Sequence, residues 1–163
     1  MFLIAGSGCA HKSAPPPPPI KEVPPCPEAE KLTFILDGAP NLNRGPDGQP
    51  LSTVVRIYQL RSVARLQNVS LDELIRSEKD ALADELLDTK EVTLAPLARI
   101  FPDMPRKPEA THVAIAAFFR RPTGSSWRAV AALPPRDPDH CHRPWAKHWI
   151  QFFLQGYEAA YVP

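Results

Sequence analysis

The sequence predicts a mainly β protein: a β-sandwich that carries one inserted helical element. Three observations predict it. Short runs rich in β-branched and aromatic residues recur along the chain, bounded by Gly, Pro, Asn or Asp. One stretch, about residues 62–88, has apolar residues at helical spacing. The 163 residues make one domain of ordinary size plus a tail, since much of the proline sits in the first 27 positions.

The domain, residues 30–163, opens with Lys31 to Leu36 as its first strand. Asp37 to Pro40 leads into Asn41–Pro50, a loop dense in glycine, asparagine and proline. Asp47-Gly48 alone signals a tight turn, yet the loop is longer than a hairpin needs. Long loops on rigid scaffolds often carry function, and a tolerated insertion is the bland alternative. Thr53 to Tyr58 is the strongest strand. Val54 and Val55 are adjacent apolar residues, so this strand is expected to be covered on both faces.

The helical element begins beyond Leu60. Ser70-Leu71-Asp72-Glu73 has the form of a capping box, with acids in the first turn to suit the helix dipole. Leu71, Leu74, Ile75, Leu82 and Leu86 fall on one predicted stripe, interrupted at Glu78, with Asp72, Arg76, Lys79 and Asp80 facing away. Its acids read as a solvated face and not as catalytic groups. Strands resume at Glu91–Leu94, followed by a proline-broken connection from Pro96 to Pro108. Thr111–Arg120 is the second strong strand, with His112 a packed residue and not a ligand. A turn over Arg121–Ser126 leads to a strand at Trp127–Leu133, and Trp149 to Val162 reads as a closing hairpin.

Nineteen basic against eighteen acidic residues give a net charge of +1, so no basic excess argues for nucleic acid as a partner and no polyanion binding is implied. No apolar run approaches the ~20 residues of a spanning helix. The first nine residues pass from apolar Phe2-Leu3-Ile4 through small side chains to Cys9. This resembles the end of a bacterial lipoprotein signal, with Cys9 as the acylated residue. Ala10 follows the cysteine where an Asp would mark inner-membrane retention, so the outer membrane is expected. Residues 10–29 form a spacer. Pro15 to Pro19 and the later prolines favour an extended rod at ~3.1 Å per residue, long enough to hold a domain roughly 60 Å from its anchor.

The order of an Asn-rich loop, Val54-Val55-Arg56-Ile57-Tyr58-Gln59-Leu60, a leucine-bearing helix with acidic turns, Ala116-Ala117-Phe118-Phe119-Arg120 and Trp127-Arg128 resembles TssJ, the outer-membrane lipoprotein family of the type VI secretion system. The likeness covers about Leu32 to Val162. It implies a transthyretin-like β-sandwich with an added helical element. It also implies a structural, non-enzymatic role on the periplasmic face of the outer membrane, with no cofactor and no small-molecule substrate. The implied partner is the periplasmic C-terminal region of the inner-membrane protein TssM, gripped by the loop between the first two strands. Here that loop offers Asn41, Leu42, Asn43, Arg44, Gly45, Pro46, Asp47, Gly48, Gln49, Pro50 and Leu51 as partner-binding residues. A periplasmic carrier that binds a small ligand in the sandwich is the second reading. A deep apolar pocket would mark the carrier, and an exposed, ordered loop would mark the assembly role.

The segment Pro134–Lys147 has no counterpart in the family pattern. It holds Asp137, Asp139, His140, Cys141 and His142, with His148 nearby, which are metal-type ligands too close together for paired zinc knuckles. Neither a metal nor a Cys/His catalytic site is expected there. With Cys9 acylated, Cys26 and Cys141 remain in an oxidising compartment and are predicted to pair as a disulfide. Two unpaired thiols, or Cys141 drawn into the His-rich cluster, stay open as alternatives.

Overall fold

The computed structural model describes Pro24, Cys26, residues 30–143 and residues 149–163. The signal segment with Cys9, most of the proline spacer and His148 lie outside these residues.

Among the described residues, nine strands form two sheets. The first strand, β1 (Lys31–Gly38), alternates side chains in and out and buries Leu32, Phe34 and Leu36. The second, β2 (Thr53–Leu60), sits inside the other sheet, between β3 (Leu86–Leu94) and β6 (His112–Ala117), antiparallel to both. Outside β6 lies β7 (Arg128–Ala132), which gives the order β3-β2-β6-β7. The first sheet pairs β1 in parallel with β8 (Trp149–Gln155), and β8 in turn carries β9 (Glu158–Val162) as a hairpin. The other edge of β1 is filled by β4 (Arg99–Ile100) and β5 (Asp103–Pro105) end to end, with the Phe34 N–H donating to the Pro102 carbonyl between them.

The core lies between the sheets. Phe34, Ile57, Val113, Ile115, Ile150, Phe152 and Leu154 belong to one packed cluster, all but Ile150 with no exposed surface. Each contributes about 1.5–3 kcal/mol of transfer free energy. Gly38 ends β1 where a Cβ would run into the Ala95 carbonyl, so glycine lets the two backbones close.

The helical insertion is three short helices, the stripe expected as one helix beyond Ser70 being divided in two. They are α1 (Ala64–Asn68), α2 (Leu71–Arg76) and α3 (Glu78–Leu82), followed by a 3₁₀ turn at Ala83–Glu85. The extended backbone of Ser77 (φ −153°) separates α2 from α3, and Ala83 at φ +45° ends α3. Leu86, placed by helical spacing on the same stripe, is the first residue of a strand, and Ile75 is half exposed. Leu66, Leu74 and Leu82 are the leucines these helices bury. The Ser70–Glu73 capping box forms as the sequence predicts. Ser70 Oγ accepts from the Glu73 N–H at 3.2 Å, and the Glu73 carboxylate accepts from the Ser70 N–H at 3.0 Å.

This unit covers the outer face of β2 and β6. Tyr58, Ala114 and Ala116 are fully buried on that face. Glu78 of α3 accepts from the Tyr58 hydroxyl at 3.0 Å and from Arg56 at 3.1 Å. Burial, aided by the Glu78 charge, pushes the Tyr58 hydroxyl far above the usual phenol range, so it remains a donor. Across the face, the Arg128 guanidinium donates to the carbonyls of Leu66, Gln67 and Val69, which would otherwise be orphan acceptors at the end of α1.

Candidate partner-binding site

Strand directions divide the sandwich into two poles. β1 starts beside β5 and runs about 23 Å to Gly38. At its starting pole Arg106 is buried with Glu30: Nη1 donates to the Glu30 carboxylate at 3.1 Å, and Nη2 donates to the Pro134 carbonyl at 2.6 Å. The segment after Pro134 is held at this pole too. Cys26 and Cys141 are joined there by a disulfide with Cα atoms 5.6 Å apart, and His142 Nε2 lies 3.0 Å from the Pro24 carbonyl oxygen. Ligand atoms of Cys26, Cys141 and His142 fall within 4.8 Å of one another. Sulfurs bonded to each other carry no thiolate to offer a metal, so in this oxidised form the cluster is a staple. Pro24 and Cys26, the described residues of the spacer, thus reach the body at this end.

The loop between β1 and β2 occupies the opposite pole. It is built in two parts. Leu42 is fully buried and Asn43 nearly so: of the residues expected to contact the partner, these two face the fold with their side chains. Leu42 N–H donates to Ala39, and Leu51 N–H donates back to the Leu42 carbonyl. Asn43 takes φ +45°, a conformation asparagine tolerates better than most residues. Its N–H donates to the Gly156 carbonyl in the β8–β9 turn, its Nδ2 to Ser52, and its Oδ1 accepts from the Arg120 N–H. Tyr157 adds a hydroxyl bond to the Arg44 carbonyl at 2.8 Å and packs edge-on against Phe119.

Beyond this base the loop is presented. Arg44, Pro46, Asp47, Gly48, Gln49 and Pro50 are exposed, while Asn41, Gly45 and Leu51 are half-buried. A small closed turn shapes the tip: Gly45 N–H donates to the Gln49 carbonyl, and Gly48 N–H donates to the Gly45 carbonyl. Gly48 sits at φ +80°, the left-handed region that the Asp-Gly pair supplies. The tip is exposed yet internally hydrogen-bonded. Sequence composition marked the loop, but turn residues gave no sign that Leu42 and Asn43 are its pegs.

The described residues thus form a two-sheet β-sandwich with a filled interior, a disulfide staple at one pole and a hydrogen-bonded, exposed loop at the other. Residues 30–152 match the family described as "Type VI secretion lipoprotein, VasD, EvfM, TssJ", and the chain belongs to that family. Solved structures share the fold. The T6SS lipoprotein TssJ1 from Pseudomonas aeruginosa is 18% identical with a TM-score of 0.69, over 82% of this chain and 95% of that one. A chain of a structure described as a type VI membrane complex is 25% identical with a TM-score of 0.70, over 83% of this chain and 100% of that one. A chain of a structure described as the T6SS protein TssM C-terminal domain from EAEC is 24% identical with a TM-score of 0.67, over 82% and 98%. No curated protein is significantly similar to the chain.

Proposed function

We propose that this protein is a lipid-anchored structural subunit that ties the type VI secretion membrane complex to the periplasmic face of the outer membrane. Acyl chains on Cys9 hold the membrane, the proline spacer sets reach, and the β1–β2 loop grips the periplasmic C-terminal region of TssM. The observation that carries this reading is the loop itself, exposed at Arg44 and from Pro46 to Pro50 and pinned through Asn43 at the pole opposite the Cys26–Cys141 staple. A pull from the membrane and a pull from the partner then act along the strands, not across them. Membership of a type VI lipoprotein family supports the anchor, and a chain of this fold in a structure described as the TssM C-terminal domain supports the partner. The space between the sheets is filled by Phe34, Phe152, Ile57 and Ile115, which argues against a carrier.

The deciding experiment shortens Arg44–Gln49 to a Gly-Ser turn, leaving Leu42 and Asn43 in place. Binding to the purified periplasmic region of TssM should be abolished while the melting temperature barely moves, because surface loops tolerate length changes cheaply. Retained binding would put the interface elsewhere. For the anchor, Cys9→Ser should shift the protein from the membrane fraction to the soluble periplasm.

A further inference from the structure

We propose that the loop pole carries an electrostatic contact beside the loop, in which Arg44, Arg120 and Arg121 receive an acidic segment of the bound partner. This rests on the proposed partner-binding role and names the chemistry of the partner's face.

The first observation is pairing. Arg56, Arg65, Arg99, Arg106 and Arg143 each hold a carboxylate. Arg44, Arg120 and Arg121 are exposed, and among the described residues their side chains make no hydrogen bond or ion pair. The second is position. The Arg120 N–H is bound to Asn43 Oδ1 at 2.9 Å, so the backbone carrying Arg120 and Arg121 lies against the residue next to Arg44. Three guanidinium groups therefore gather at one pole of a chain whose net charge is only +1. The acidic residues of this pole, Asp47, Asp72 and Glu158, form no ion pair with them among the described residues.

The third observation is shape. A groove of about 400 Å³ runs beside Arg120, between α2 and the β6–β7 connection, with Leu71, Ile75, Phe119 and Pro122 on its walls and the polar Asp72 and Arg128 among them. Ile75 there is 50% exposed. A partner side chain with an apolar body can rest on Leu71, Ile75 and Phe119 while neighbouring carboxylates meet the arginines, whose planar forks match carboxylates bidentately. Such rim charges act mainly on encounter rate and its salt dependence. Anionic lipid is the other class of polyanion to consider, and the position of this pole, opposite the staple that receives the spacer, disfavours it.

The test uses the full chain carrying Cys9→Ser, with the periplasmic C-terminal region of the cognate TssM immobilised, at 50 and 300 mM NaCl. The unaltered arginines should give an association rate that drops about tenfold at the higher salt. Arg44→Glu/Arg120→Glu/Arg121→Glu should lower the low-salt rate about tenfold or more and flatten the salt dependence, with an unchanged melting temperature. Should the triple reversal disturb folding, Arg120→Gln/Arg121→Gln is judged by the salt dependence alone. Normal rates in the charge variants, with binding lost only on loop shortening, overturn this inference and leave the partner reading standing. Loss of binding to phosphatidylglycerol vesicles in the triple variant, with TssM binding intact, also overturns it. If the unaltered protein does not bind TssM, the partner reading fails and this inference fails with it.

Discussion

Asn43 Oδ1 accepts the Arg120 backbone N–H at 2.9 Å, joining positions 77 residues apart in sequence. The same side chain donates to Ser52 at 3.0 Å, so one amide fixes the loop to both of its neighbours. Asn43→Ala removes both bonds, leaves two polar groups poorly satisfied and forces a less tolerant residue to φ +45°. The expected loss is about 2–3 kcal/mol, read as a lower urea midpoint with an unchanged slope. Asn43→Gly relieves the backbone but not the lost bonds, and should recover part of the deficit.

Arg128 is the clip for the helical insertion. Its bonds to Leu66, Gln67 and Val69 finish the end of α1, and its guanidinium also stacks 4.9 Å over Trp127. Arg128→Met keeps bulk but offers no donor. Amides of α1 and α2 should then exchange faster by a factor of 10 or more, while β2 and β6 amides remain protected. A lysine at this position has one ammonium for three carbonyls and should restore only part of the protection.

The strands that sequence revealed are those whose side chains alternate or run continuously apolar over five or more residues. Thr53–Tyr58 and the Trp149–Val162 hairpin appear as expected, and the strand expected over Thr111–Arg120 appears as His112–Ala117, ending three residues early. β4 and β5 were invisible because two and three residues show no period, and prolines flank them. The single helix expected over the leucine stripe failed for a local reason. Leucine spacing continued through Ser77 and Ala83, whose backbone geometry breaks the helix. At the candidate site the loop was legible from its turn residues. The buried Leu42 and Asn43 were not, since burial of a loop residue depends on Gly156 and Arg120, far away in sequence.

Asp37 gives the fold an acid dependence. Its carboxylate accepts from Arg99, with Nη2 at 3.2 Å, and from Gln151 at 2.7 Å. The Arg99 hydrogen bond, outweighing desolvation and helped by Gln151, holds its pKa below the ordinary 3.8. A depressed carboxylate stabilises the fold above the ordinary value, and that contribution is lost as pH falls through the folded one. Asp37→Asn should therefore be less stable than the parent at pH 7, with the gap closing below about pH 3.8. Urea midpoints at pH 7, 4, 3 and 2 check this. A residual acid slope should remain in the variant, because Lys31 holds the Asp103 carboxyl low as well.

The staple at the far pole makes the last prediction. Cys26 and Cys141 close a loop with a sequence separation of 115, which in the chain-entropy model stabilises by about 4–5 kcal/mol. Part of that constraint is duplicated. The Arg106 N–H donates to the Glu30 carbonyl at 2.6 Å, and the buried Arg106 guanidinium grips both the Glu30 carboxylate and Pro134. Glu30 and Pro134 are therefore held together whether or not the sulfurs are joined. Cys26→Ser/Cys141→Ser should cost less than the model figure, about 2–3 kcal/mol, and should leave the amides of β1 and β2 protected. The loss should rise well above that only when Arg106→Met is added, because the second clamp then goes as well. Mass spectrometry of periplasmic protein alkylated without reduction should show neither Cys26 nor Cys141 modified. Two modified thiols, or a double serine variant as stable as the parent, would remove the staple from what holds the fold together.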